Sequence, residues 1–100
     1  MIINIDEKGC SYVDIDCANG YPINVVYDSY YKIKEYLSNR IKKTIEIGGG
    51  INSEEVLYKI VTEEGAISIF ADWAGVEVRA EDIYSNILLL ELYQKVLINL

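Results

Sequence analysis

One hundred residues and 11.4 kDa leave room for one hydrophobic core, and a chain of this length buries roughly 60–70% of its unfolded surface without metals or disulfides. Hydrophobic residues at 51% with a mean hydropathy of +0.11 exclude intrinsic disorder. Sixteen acids against nine bases, a net charge of −7, argue against direct nucleic-acid binding, and the lack of any histidine removes the usual general base and the commonest metal ligand.

Three runs of alternating apolar and polar residues open the chain at 1–6, 10–17 and 21–27, and each is predicted to be a strand. The connections Glu7-Lys8-Gly9 and Ala18-Asn19-Gly20 both end in glycine. A two-residue Asn19-Gly20 turn would mix polar and apolar residues on each face. Three-residue loops with the glycine left-handed instead align Ile3 with Val13, Met1 with Ile15, Ile15 with Ile23 and Val13 with Val25. One face then holds Ile3, Val13, Ile15, Cys17 and Val25, and the other Tyr12, Asp14 and Asp16.

A helix is expected from Asp28 or Ser29, either of which can cap it, with Tyr30, Ile33, Leu37 and Ile41 at helical spacing. A short strand at 44–47 precedes Gly48-Gly49-Gly50, where the segment ends. The second half repeats the plan. Strands at 56–61 and 66–73 around a four-residue loop align Val56, Tyr58 and Ile60 with Ala71, Ile69 and Ile67. A helix over 54–64 is the competing reading, since Asn52 and Glu55 form a capping box. A tight turn at Ala74-Gly75 sets Trp73 opposite Val76, Ala71 opposite Val78 and Asp72 opposite Glu77, and Asp82 caps a helix reaching about residue 98. The expected fold is one α+β domain in which two three-stranded meanders, each followed by a helix (βββα-βββα), occupy 1–47 and 51–100 and join at the triple glycine. The helices cover the apolar face of an antiparallel sheet.

The N-terminus carries no basic stretch or small-residue cleavage site of the signal-peptide kind. The apolar run at 87–90 falls far short of the ~20 residues of a membrane span. Cys10 and Cys17 on one strand would lie roughly 24 Å apart on opposite faces, whereas a disulfide needs Cα atoms within about 7 Å. Cys17 is read as core and Cys10 as an exposed thiol. A reduced, cytoplasmic protein is the expectation.

Asp14 and Asp16 share a predicted face about 7 Å apart. Paired carboxylates can bind metal or do acid–base work, but no third ligand accompanies them, which leaves a solvated sheet face or a binding pair. Asp72 and Glu77, opposed in the expected register, are unfavourable like charges. Either that register is wrong, a cationic partner neutralises the pair, or Arg79 offsets it internally. The triple glycine lacks the Lys-Ser/Thr of a phosphate loop. The basic run Lys32, Lys34, Arg40, Lys42 and Lys43 reads as a solvated helix face, with contact to phosphate or an acidic partner as the alternative. Neither enzyme activity nor a cofactor or metal is expected.

Nine tyrosines suit protein interfaces. Between Asp82 and Glu91 no charged residue appears, so the last helix is either covered on two sides or part of an oligomeric contact. In size, acidity and α+β character the whole chain resembles the small bacterial immunity proteins, including those of contact-dependent growth inhibition systems. That resemblance implies a stoichiometric inhibitor of a cognate, basic, nuclease-type toxin domain in the cytoplasm of the producing cell. The expected contact residues are Tyr12, Asp14, Asp16, Asp72 and Glu77. Type III secretion chaperones are also similar in size and charge, which makes a homodimeric binding module, joined through the last helix, the alternative.

Overall fold

The computed structural model describes residues 1–17, 22–48, 55–72 and 74–100, with the backbone alone at residue 23. The first hairpin pairs β1 (Ile3–Ile5) with β2 (Ser11–Ile15), and Ile3 stands opposite Val13 as the alternation requires. Its loop is organised by Asp6, whose carboxylate accepts the backbone N–H groups of Lys8 at 2.8 Å and Cys10 at 2.9 Å. Gly9 sits at φ +86°, a conformation that favours a residue without Cβ.

The third expected strand is a helix. α1 runs Pro22–Tyr36, opening with a proline whose fixed φ and missing N–H suit a first helical turn. The segment 21–27 alternates well enough for a strand, but Val26, Tyr30, Ile33 and Leu37 recur at intervals of four, three and four, and all four are buried. That continuous stripe carries the helix back past Asp28 and Ser29, which lie within it and do not cap it. The loop 18–20 and Tyr21 lie outside the described residues. Ile41, read above as the last residue of the helical stripe, begins β3 (Ile41–Gly48), which is longer than the expected 44–47.

β4 (Val56–Thr62), β5 (Gly65–Asp72) and β6 (Gly75–Ala80) follow as a meander, so the helix alternative fails over 56–62. Val56, Tyr58 and Ile60 face Ala71, Ile69 and Ile67 as expected. The connecting turn is shorter than expected, because Thr62 already pairs with Gly65. The β5–β6 register departs by two residues. Ala71 stands opposite Val76 and Asp72 opposite Gly75, so Asp72 and Glu77 are not cross-strand partners. Asp72 Oδ1 accepts the N–H groups of Ala74 at 2.8 Å and Gly75 at 3.2 Å, which fixes the turn one residue earlier than expected. Trp73 and the residues of the triple glycine beyond Gly48 lie outside the described residues.

The two-meander plan fails at one place above all. β2 pairs with β6, Val13 opposite Val78 and Ile15 opposite Val76, so all strands join one six-stranded antiparallel sheet in the order β1-β2-β6-β5-β4-β3. The element order is ββαββββα, and β3 pairs with β4 across the supposed junction between halves. A single-turn helix at Ile83–Ser85, capped by Asp82 Oδ1 accepting the Ser85 N–H at 2.9 Å, leads into α2 (Asn86–Lys95). Both helices pack on one face of the sheet. Val26, Tyr30, Ile33 and Leu37 with Leu88, Leu89 and Leu92 share a single core with Val13, Ile15, Ile60, Ile67, Ile69, Val76 and Val78. Tyr30 stacks on Tyr58 with ring centroids 4.1 Å apart.

Asn86 keys α2 to the first hairpin. Its Oδ1 accepts the Ser11 N–H at 2.8 Å and hydroxyl at 2.9 Å, and its Nδ2 donates to the Gly9 carbonyl at 2.8 Å. Gly65 lies where a Cβ would come within 2.9 Å of Ser85 Cα, so the sheet and the start of α2 meet there backbone to backbone. Cys10 and Cys17 are both free thiols. Cys17 packs against the core as expected, and burial pushes its thiol pKa up. Cys10 is half-buried and not the exposed thiol the sequence suggested.

Candidate protein-binding face

With both helices on one side, the other side of the sheet is left facing outward, and the register fixes what it displays. One row crosses it as Tyr12, Arg79, Ser68, Lys59 and Ile45 on successive strands, and the next as Asp14, Glu77, Phe70, Leu57 and Ile47. The second row passes from two carboxylates through an aromatic ring to two aliphatic side chains.

The acidic end holds four of the five residues expected from sequence. Asp14 and Glu77 are directly opposed across β2 and β6. With Asp72 and Phe70 they line a cleft of about 290 Å³ that also touches Ile15, Ala74, Gly75 and Val76. Tyr12 lies one row away under the Arg79 guanidinium, 4.5 Å from ring centroid to Cζ. Arg79 Nε donates to Glu77 at 2.7 Å, and Nη1 pairs with Asp6. Arg79 is therefore held firmly as a cation, chiefly by Glu77 and then by Asp6. The Cys10 backbone N–H, then that of Lys8, then Arg79 hold the Asp6 carboxyl below its usual range.

Glu77 is thus partly neutralised inside the protein, while the Asp14 carboxylate makes no hydrogen bond or ion pair among the described residues. The sequence reading paired Glu77 with Asp72, whereas its like-charged cross-strand partner is Asp14. Asp16 does not join the cluster. β2 ends at Ile15, and Asp16 lines a groove of about 230 Å³ with Met1, Val25, Asp28, Lys32 and Leu100.

Sequence reasoning missed the apolar half of the face, where Leu57, Val61 and Phe70 occupy the alternate positions of β4 and β5 beside Ile45 and Ile47 of β3. The available signal was that the outward set of β4 and β5 is itself half apolar, with Leu57, Val61 and Phe70 interleaved with Lys59 and Ser68. It also missed the destination of the basic run. Arg40 grips Glu91 through two bonds of 2.6 and 3.0 Å and reaches Glu64 at 3.2 Å, while Lys42 pairs with Glu63 at 3.5 Å. Tyr36 donates to Glu91 at 2.7 Å. Arg40 first, then Tyr36, pull the Glu91 carboxyl down to about 2.

Among the described residues no three of His, Cys, Asp and Glu converge as a metal site, and no helix is long and apolar enough to cross a membrane. Comparison with protein-family models, with curated proteins and with solved structures finds no match.

Proposed function

We propose that the protein is a stoichiometric inhibitor of the immunity-protein type, which docks its outward sheet face over the active-site cleft of a basic protein domain, a nuclease toxin being the class its charge fits. The supporting observation is the Asp14–Glu77 carboxylate pair, opposed across two strands beside Phe70 and Leu57 on the face the helices do not cover. Like charges in this arrangement oppose folding by roughly 0.2–1 kcal/mol. A cationic side chain entering the cleft removes that repulsion, while Phe70 and Leu57 provide apolar contact area next to it. A net charge of −7 steers the molecule toward a cationic cleft and accelerates encounter. The mode of action is occlusion, so no chemistry is required of the inhibitor. The reading places the protein in the cytoplasm of the cell it protects.

The test is affinity capture from the native host's lysate on immobilised wild-type protein and on the Asp14→Lys/Phe70→Asp variant, at low and high salt. The expected result is a basic partner bound one to one, lost on the variant and weakened by salt, whose enzymatic activity the wild-type protein abolishes. A partner that the variant retains, or whose activity survives saturation with the wild-type protein, would overturn the reading.

A further inference from the structure

α2 is apolar on two sides, and among the described residues only one of them packs inside the protein. Leu88, Leu89 and Leu92 enter the core, while Ile83, Ile87 and Leu90 recur at intervals of four and three on the opposite side. The helix cannot roll to bury this second stripe. Asn86 ties one flank to Gly9 and Ser11, and Glu91 ties the other to Arg40. Ile83 lies over Gly9. On β1, Ile5 stands opposite Ser11, whose N–H and hydroxyl both bond Asn86 at the start of α2, and Tyr84 flanks the stripe on the far side, its hydroxyl donating to the Glu63 carbonyl at 3.0 Å. Ile87 is 80% exposed, Tyr84 67%, Ile5 65%, Ile83 63% and Leu90 46%.

We propose that this stripe pairs with the same stripe of a second copy of the chain, about a two-fold axis passing close to Ile87. Two arguments select a second copy as the occupant. The first is area. At roughly 200 Å² for a fully exposed side chain of this size, these five residues present on the order of 600 Å², so a two-fold pair can bury up to about 1,200 Å², which reaches the lower bound of specific interfaces. The second is charge. Two chains of −7 repel through their acidic faces, whereas residues 83–100 carry only Glu91 and Lys95, and Glu91 is engaged by Arg40. A neutral, self-complementary stripe is where such a chain approaches its own copy without that penalty, whereas a basic partner is drawn to the acidic sheet face. An antiparallel crossing sets Ile87 against its symmetry mate and Leu90 against the Ile83–Tyr84 end of the other helix. Because α2 covers the inner face of the sheet, both acidic faces stay open in the dimer. The inference does not rest on the proposed function.

Sedimentation equilibrium across a wide concentration range, at low and high salt, tests it. The expected particle has twice the 11.4 kDa chain mass, and its association tightens as salt screens the repulsion, the reverse of binding to a basic partner. Ile87→Glu and, separately, Leu90→Lys should weaken dimerisation at least tenfold while leaving the circular dichroism spectrum of the fold intact. An equimolar mixture of Ile87→Glu and Ile87→Lys should regain the dimer. A particle of single-chain mass at every concentration and salt, or a dimer that both substitutions leave intact, would overturn the proposal.

Discussion

Asp14 on β2 stands directly opposite Glu77 on β6, two carboxylates at the same rung of the ladder on the uncovered face of the sheet. Arg79 donates to Glu77 at 2.7 Å and not to Asp14, so the repulsion is reduced and not abolished. Asp14→Asn should therefore stabilise the isolated protein by a few tenths of a kcal/mol, up to about 1. Urea unfolding at low salt measures this, and the gain should shrink in high salt. A loss of stability on substitution would show that Asp14 is already compensated.

Glu91 ties α2 to Arg40 beyond the end of α1 and to the hydroxyl of Tyr36. Its carboxyl titrates at about 2 in the fold against an ordinary 4.5. A group whose pKa is depressed by folding contributes stability that is whole above the unfolded value and lost as pH falls through the folded one. Stability should thus decline between pH 4.5 and 2 by on the order of 1–2 kcal/mol from this group, after allowance for a pair that remains about a third exposed to solvent. Thermal melts of the wild type and Glu91→Gln across that range check it, and the variant should show a shallower acid limb and a lower plateau near neutrality.

Asn86 satisfies three polar groups of the first hairpin at once. Asn86→Ala leaves the Ser11 N–H and the Gly9 carbonyl without these partners in a half-buried site, which costs roughly 1–3 kcal/mol. The urea midpoint should fall, with amide exchange at Ser11 rising ahead of exchange in β4 and β5. Uniform acceleration across the sheet would mean that the hairpin does not loosen separately.

Gly65→Ala should destabilise by about 1–3 kcal/mol. The residue holds φ +139°, and its new Cβ would meet Ser85 Cα at 2.9 Å, backbone that cannot swing aside. Ser85→Ala, which removes the Oγ–H group but leaves Cα in place, should not rescue it. A double variant as stable as Ser85→Ala alone would show that the hydroxyl, and not the backbone, made the contact.

The parts of the fold legible in the sequence are those where one local pattern admits one answer. Val56, Tyr58 and Ile60 against Ala71, Ile69 and Ile67 is such a case, because a slip of one residue would turn the strand inside out. A slip of two does not. Ala71 faces the core whether it opposes Val78 or Val76, so apolar pattern is blind between those registers, and the Asp72 carboxylate on the turn N–H groups decides. The segment 21–27 fails for a different reason. Val26 and Tyr30 belong to a stripe completed by Ile33 and Leu37, and within seven residues a period of two looks as good as one of 3.6. The contact between β2 and β6 was beyond reach, since nothing local in Tyr12–Ile15 points to Val76–Arg79. For the candidate face, the acidic residues were recognised individually. Their neighbours Phe70 and Leu57 became visible only once the strands were ordered.

That same contact between β2 and β6 has a consequence for the route by which the chain folds. β3 to β6 form from neighbouring hairpins with short closures, but Tyr12 has to find Arg79 across most of the chain, and such a long loop is closed late. The meander can therefore nucleate alone, leaving the edge of β6 open until the first hairpin docks against it through β2. Substitutions such as Ile69→Val in β5 should slow refolding, whereas Val13→Ala should chiefly hasten unfolding. In the interval before closure, the exposed edge of β6 is where a second unfolded chain can insert its own β2, and crowded or rapid refolding should yield exchanged dimers held by the first hairpin.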